Sequence, residues 1–238
     1  HINEVKKALK AGADCVSQPV PPIESELLGM NNHVCAPSDV GKVRMLDSEE
    51  AGGAQVTALR TALHQAARLG EGDAVLQLLD NPLISDGAGG HATTSMQDNG
   101  FFPLHIAAHA GHASVVGTLL QSPAFAPAVN TFAHIDGVPS AGSALHLAAW
   151  AGHASVAECL LRSEIFSDDM VNSVTDGIDG LTALHVACSA GNQDVVQMLL
   201  NEQRFAAVNA QGANGFSALT CAIIRDNESV ACLLLQHR

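Results

Sequence analysis

The sequence predicts an all-α solenoid of stacked helix-turn-helix units joined by extended inter-repeat loops. Three observations predict it. A leucine-centred motif recurs at Leu63, Leu104, Leu145, Leu184 and Leu219, and fifteen residues after each leucine stands a Leu-Leu pair. Seven residues after each leucine comes Gly70, Gly111, Gly152, Gly191 and, once, Asp226. The 238 residues are 47% apolar but only 3% aromatic, with no Tyr and one Trp. A core of Ala, Leu and Val suits thin layers of small helices better than one large globule.

The elements follow in chain order. Residues 1–15 include Val5-Lys-Lys-Ala-Leu-Lys-Ala-Gly-Ala-Asp14, which reads as the C-terminal part of a truncated unit. The chain starts at His1 within a helical pattern, so it is expected to be a piece of something longer. Residues 16–58 hold Pro19, Pro21, Pro22 and Pro37, then Ser48-Glu-Glu-Ala-Gly-Gly53. This stretch reads as an irregular, partly mobile insertion with a short helix around Ile23–Leu28. Residues 59–238 then form five units, at about 59–97, 98–138, 139–177, 178–212 and 213–238.

Within a unit, Thr61, Ser143, Thr182 and Ser217 stand where a hydroxyl caps a helix start. Small apolar residues follow, as in Leu145-His-Leu-Ala-Ala149, giving a helix that packs closely on both sides. The glycine supplies the left-handed backbone that ends this helix and reverses the chain. A second helix carries apolar residues at 3–4 spacing, such as Val156, Cys159 and Leu160. Two such helices cannot bury their faces alone, so neighbouring units must stack.

Phe102-Pro-Leu-His-Ile-Ala-Ala-His-Ala-Gly-His112 and Leu145-His-Leu-Ala-Ala-Trp-Ala-Gly-His153 carry the pattern most fully. It resembles the ankyrin repeat, over roughly residues 1–15 and 59–238. That resemblance implies that His64, His105, His146 and His185 tie unit to unit by hydrogen-bonding the backbone of an adjacent turn. It likewise gives His112 and His153 a structural place after the turn glycine. It also implies a concave binding face built from turn tips and the late residues of each first helix.

The departures are informative. Ankyrin repeats run about 33 residues. Here the leucine intervals are 41, 41, 39 and 35, so the extra residues fall in the connections. Ile84, Phe125, Phe166 and Phe205 each lie five residues after a Leu-Leu pair and read as plugs beneath a longer loop. Val129-Asn130, Val171-Asn172 and Val208-Asn209 follow, and each Asn is expected to hold a turn. Phe102 replaces a capping hydroxyl, at a cost of about 1 kcal/mol. Thr220 and Asp226 replace the His and Gly of the last unit, which reads as a degenerate end cap.

Composition narrows the function. The formal charge is −13, with 7 basic and 13 acidic side chains in residues 1–119 and 4 and 11 in residues 120–238. No basic stripe serves nucleic acid or an anionic membrane. No apolar run of about 18 residues suggests a membrane span. The six cysteines (Cys15, Cys35, Cys159, Cys188, Cys221, Cys232) lack paired spacing and read as reduced, small core residues of a cytoplasmic chain, a nuclear location being the alternative. His105, His109 and His112 have i, i+4, i+7 spacing, but Gly111 should break the helix and no acid or Cys completes a metal site. Asp168-Asp169 is expected in a solvated loop. No nucleophile motif, phosphate loop or dinucleotide fingerprint occurs, so neither an enzyme nor a cofactor is expected in these residues.

Carried over position by position, the concave face comprises Arg68, Leu69, His109, Trp150, Ile224 and Arg225 from helix ends, and Phe101, Asp179, Leu181, Asn214 and Phe216 from turn tips. Trp150 either stands exposed as a binding hot spot or lies beneath a long connection. The leading expectation is a scaffold or adaptor module that binds another protein, monomeric in its full-length context. The alternatives are the substrate-recruiting arm of a larger kinase or ubiquitin ligase, and the cytosolic domain of a channel.

Overall fold

The computed structural model describes Leu59 and residues 62–81, 102–123, 125–133, 142–175 and 179–237. All lie in the compact unit Ala54–Arg238. Residues 1–58, with the truncated unit and the insertion expected there, lie outside the described residues, as do Thr61, Ile84 and Phe101.

Residues 62–69 are helical and lead into α1 (Gly72–Leu79). Then come α2 (Pro103–Ala110) and α3 (Ala113–Gln121), with a short α4 (Ala126–Val129). Next are α5 (Ala144–Ala151), α6 (Ala154–Arg162) and the short α7 (Asp168–Val171). The last two units hold α8 (Ala183–Ala190) and α9 (Gln193–Asn201), then α10 (Ala218–Ile224) and α11 (Glu228–Gln236). The inner helices α2, α5, α8 and α10 pack in sequence, and so do the outer helices α1, α3, α6, α9 and α11. These two layers bury Leu63, Leu104, Leu145 and Leu184 completely.

Each inner helix turns into its outer helix through a left-handed residue, with φ of 78° at Gly70, 83° at Gly111, 80° at Gly152 and 81° at Gly191. Asp226 keeps the same turn at φ 64°, so the last unit accepts a conformation that L residues rarely adopt. That unit is also the least buried: Leu219 and Leu234 are partly exposed and Leu235 is exposed.

The connections differ from the expected loops. Asp168 and Asp169 form the first turn of α7, capped by the Ser167 hydroxyl, which accepts the Met170 N–H at 3.3 Å. Phe125 and Phe166 are fully buried and Phe205 nearly so, matching the plug reading. Asn172 holds its own turn, its Nδ2 donating to the Asp168 carbonyl at 3.0 Å, but Asn130 and Asn172 both also reach the next connection. Asn130 Nδ2 donates to the Ile165 carbonyl at 2.8 Å, and Asn130 Oδ1 accepts the Ser167 N–H at 2.9 Å. Asn172 repeats this with the Arg204 carbonyl at 2.8 Å and the Ala206 N–H at 2.7 Å. Each primary amide thus pairs with the backbone of the next connection, as a neighbouring strand would.

Arg204 is a further lock, with nothing in the repeat pattern to announce it. Its Nη1 donates to the carbonyls of Leu161 at 2.7 Å and Ser163 at 3.2 Å, and its Nη2 donates to that of Phe166. Its Nε meets Asp168 Oδ1 at 2.6 Å. The guanidinium therefore satisfies the open carbonyl end of α6 from the following unit. Arg204→Ala should cost about 2 kcal/mol in urea unfolding. Arg204→Lys should recover only part of it, because a lysine cannot present the planar fork. A midpoint unchanged by Arg204→Ala would remove this role.

Candidate partner-binding surface

Two side-chain staples fix the spacing of the units and hence the surface they present. The first is the inner-helix histidine. His146 Nδ1 accepts the Ser143 backbone N–H at 3.2 Å and lies 2.8 Å from the Ser143 hydroxyl. Its Nε2 lies 3.0 Å from the Leu181 carbonyl, which can only accept, so the ring is the neutral Nε2–H tautomer. His185 does the same, taking the Thr182 N–H at 3.3 Å and donating to the Phe216 carbonyl at 3.0 Å. Both carbonyls also close a turn: Leu181 accepts the Thr175 N–H at 2.8 Å and Phe216 the Gly212 N–H at 2.9 Å. Isolated antiparallel bridges, Val174 to Thr182 and Gln211 to Ser217, shape these turns into fingers.

His105 departs from this scheme. Its Nε2 donates to the Thr131 carbonyl at 3.2 Å, but its buried Nδ1 has no partner. The cause is Phe102, which brings an aromatic ring, 5.6 Å from the imidazole centroid, where the hydroxyl belongs. The sequence flagged Phe102 as a lost cap; the orphaned ring nitrogen is the larger consequence. Burial lowers both His105 and His146 from 6.5 to about 4, and it lowers His185 as well.

The second staple follows the turn glycine. His112 Nε2 donates to the Arg68 carbonyl at 3.0 Å and His153 Nε2 to that of His109 at 3.0 Å. Asn192 Nδ2 donates to Ala149 and Trp150 at 2.7 and 2.8 Å, and Asn227 Nδ2 to Cys188 and Ser189 at 2.8 and 3.0 Å. The resemblance gave His112 and His153; Asn192 and Asn227 escaped notice, although both occupy the same repeat position. These commitments dispose of the His105, His109 and His112 spacing. Gly111 ends the helix in the left-handed region, and His112 is spent on Arg68. Among the described residues no group of His, Cys, Asp or Glu is arranged to hold a metal ion.

The late inner-helix residues face one side. Arg68 and Leu69 are exposed, as are Ile224 and Arg225, while His109, Ala110, Ala151, Ser189 and Ala190 are partly exposed. Trp150 is partly buried, so neither a fully exposed ring nor a hidden one describes it. Its carbonyl is held by Asn192, which fixes the helix end that presents the ring. Leu181, Asp179 and Phe216 on the fingers are partly exposed and Asn214 is exposed. Asn214 Nδ2 donates to Asp179 Oδ1 at 3.1 Å and Ala213 N–H to the Asp179 carbonyl at 2.8 Å, joining two fingers.

The cysteines are less uniformly core than expected. Cys188 is buried, Cys159 and Cys221 are partly buried, Cys232 is exposed, and all four are free thiols. Burial pushes Cys188 up to about 12 and Cys221 up to about 11, so neither is an activated nucleophile.

No helix among the described residues is long and apolar enough to cross a membrane. A family model described as ankyrin repeats (three copies) matches residues 63–170 and 145–238, more than half of the chain. Ankyrin repeats are in general protein-interaction modules. The helix pairs, left-handed turns, fingers and imidazole latches agree with that match, and the chain belongs to the ankyrin-repeat family.

Proposed function

We propose that this solenoid acts as a scaffold or adaptor that grips a segment of another protein on the concave track of inner-helix ends and finger tips. The observation that carries the reading is the placement of Trp150. It sits midway along a track with exposed Leu69 and Ile224 towards its ends and Leu181 on the neighbouring finger. A large aromatic body on a fixed backbone is a low-entropy anchor of the kind that dominates binding energy. The free thiols support a cytoplasmic setting.

The test is affinity capture from cell extract with the wild-type chain, Trp150→Ala and Leu76→Ala, with helical circular dichroism matched first. Leu76 is exposed on the outer helix α1. Trp150→Ala should weaken capture of the principal partner roughly 30-fold, in line with a hot-spot loss of about 2 kcal/mol. Leu76→Ala should leave it unchanged. Equal capture by wild type and Trp150→Ala would move the binding surface elsewhere.

A further inference from the structure

The net charge of −13 suggests a basic partner, but the charges are not spread evenly over the described surface. Four arginines fall among the described residues, and no lysine does. Two serve the outer side. Arg162 meets Glu158 at 2.6 Å along α6, and Arg204 meets Asp168 at 2.6 Å. The other two, Arg68 and Arg225, lie at the ends of inner helices, both exposed, with no ion pair to a described carboxylate. Arg68 makes one neutral contact, Nη2 to Gln65 Oε1 at 2.9 Å. Each guanidinium adjoins an exposed apolar side chain, Leu69 at 53% and Ile224 at 40%.

Between these ends the helix-end positions are His109, Ala110, Trp150, Ala151, Ser189 and Ala190, without a carboxylate. The acids lie on the outer helices and connections, as with Asp73, Glu158, Asp168, Asp194 and Glu228. Two carboxylates lie near the Arg225 end. Asp179, on a finger, accepts from Asn214, and Asp226 follows in the turn. The field of Arg225 is therefore partly offset. Arg68 has one carboxylate near it, Glu71 in the turn three residues on, and so stands in the less offset of the two sites.

We infer that the concave track takes an extended protein segment with acidic residues at both ends and apolar residues between, its carboxylates meeting Arg68 and Arg225. The inference rests on the concave-surface reading and narrows it against the overall charge. A partner that covers a guanidinium must supply a carboxylate, because a desolvated and unpaired cation opposes binding. Inner helices about 9 Å apart place the two arginines roughly 36 Å apart. An extended chain covers that span in roughly eleven residues.

The test pans a random sixteen-residue phage-displayed peptide library on the 238-residue chain. Synthetic versions of the enriched peptides are then titrated by fluorescence anisotropy. The expected peptides have net negative charge, with acidic residues about ten apart flanking apolar ones. Arg68→Glu and Arg225→Glu should each weaken binding about tenfold, Arg68→Glu more, with the loss reduced in high salt. Both side chains are exposed, and matched circular dichroism checks that folding is intact. Basic or uncharged winners that tolerate both reversals but are lost on Trp150→Ala would overturn the acidic assignment and keep the concave surface. Winners indifferent to Trp150→Ala as well would overturn both. Failure to enrich any peptide would overturn recognition of a short extended segment.

Discussion

Acidification from pH 7 to pH 4.5 should unfold the repeat array, with the loss of stability concentrated between pH 6.5 and 4. His105 and His146 are buried as neutral rings, and burial holds both at about 4, against 6.5 in the unfolded chain. A group with a depressed folded pKa that is charged when protonated binds more protons in the unfolded state throughout that window. Stability is therefore complete above about pH 6.5 and falls as pH drops towards 4. Each histidine accounts for about 3 kcal/mol by linkage. Two together rival the whole stability of a typical domain. Geometry gives the reason. Protonating His146 places an N–H on Nδ1 against the Ser143 N–H, and protonating His105 buries a second N–H with no acceptor. Urea unfolding at pH 7.0 and 5.0 measures the effect, and His146→Gln should flatten the pH slope. Equal midpoints at the two pH values would show that the rings are not neutral in the fold.

Gly152→Ala should lower stability by about 3 kcal/mol, whereas Gly215→Ala should cost only about 1. Both glycines have positive φ, 80° and 71°. The left-handed strain of an L residue is therefore common to both, at roughly 1–2 kcal/mol. A Cβ at Gly152 would meet Asn192 Oδ1 at 2.7 Å, while one at Gly215 meets nothing within 4 Å. Displacing Asn192 forfeits its bonds to the Ala149 and Trp150 carbonyls, about 1 kcal/mol each. The difference between the variants isolates the staple from the turn. Thermal or urea unfolding reads it, and equal losses would mean that Asn192 moves aside without cost. Because Asn192 holds the Trp150 carbonyl, Gly152→Ala should also weaken partner capture at temperatures where the array stays folded.

The repeat was legible because its signals are local. A hydroxyl, a glycine and a Leu-Leu pair in fixed register specify a cap, a left-handed turn and a buried stripe, whatever lies next to them. Reading Gly70, Gly111, Gly152 and Gly191 as turns and Phe125, Phe166 and Phe205 as buried plugs needed only that register. The positions of Arg68, Leu69, Trp150, Ile224 and Arg225 at inner-helix ends followed from the same counting. What the counting could not reach were partners supplied by another unit. Asn130 and Asn172 looked like local turn formers, and Asn172 does reach its own Asp168 carbonyl, but both amides also meet backbone more than thirty residues away. Arg204 had no repeat counterpart to mark it, and the cost of Phe102 lay in the lone nitrogen of His105 rather than in the cap alone. Trp150 became partly buried because its environment is set by the stacked units around it. The sequence by itself therefore determined the unit and its order of stacking, through backbone preferences that act within a few residues. Only the tertiary structure decided the asparagine staples, the neutral state of the buried histidines and the two inner-face arginines that have no ion pair among the described residues. Each of those depends on distances between units, and those distances are set by packing.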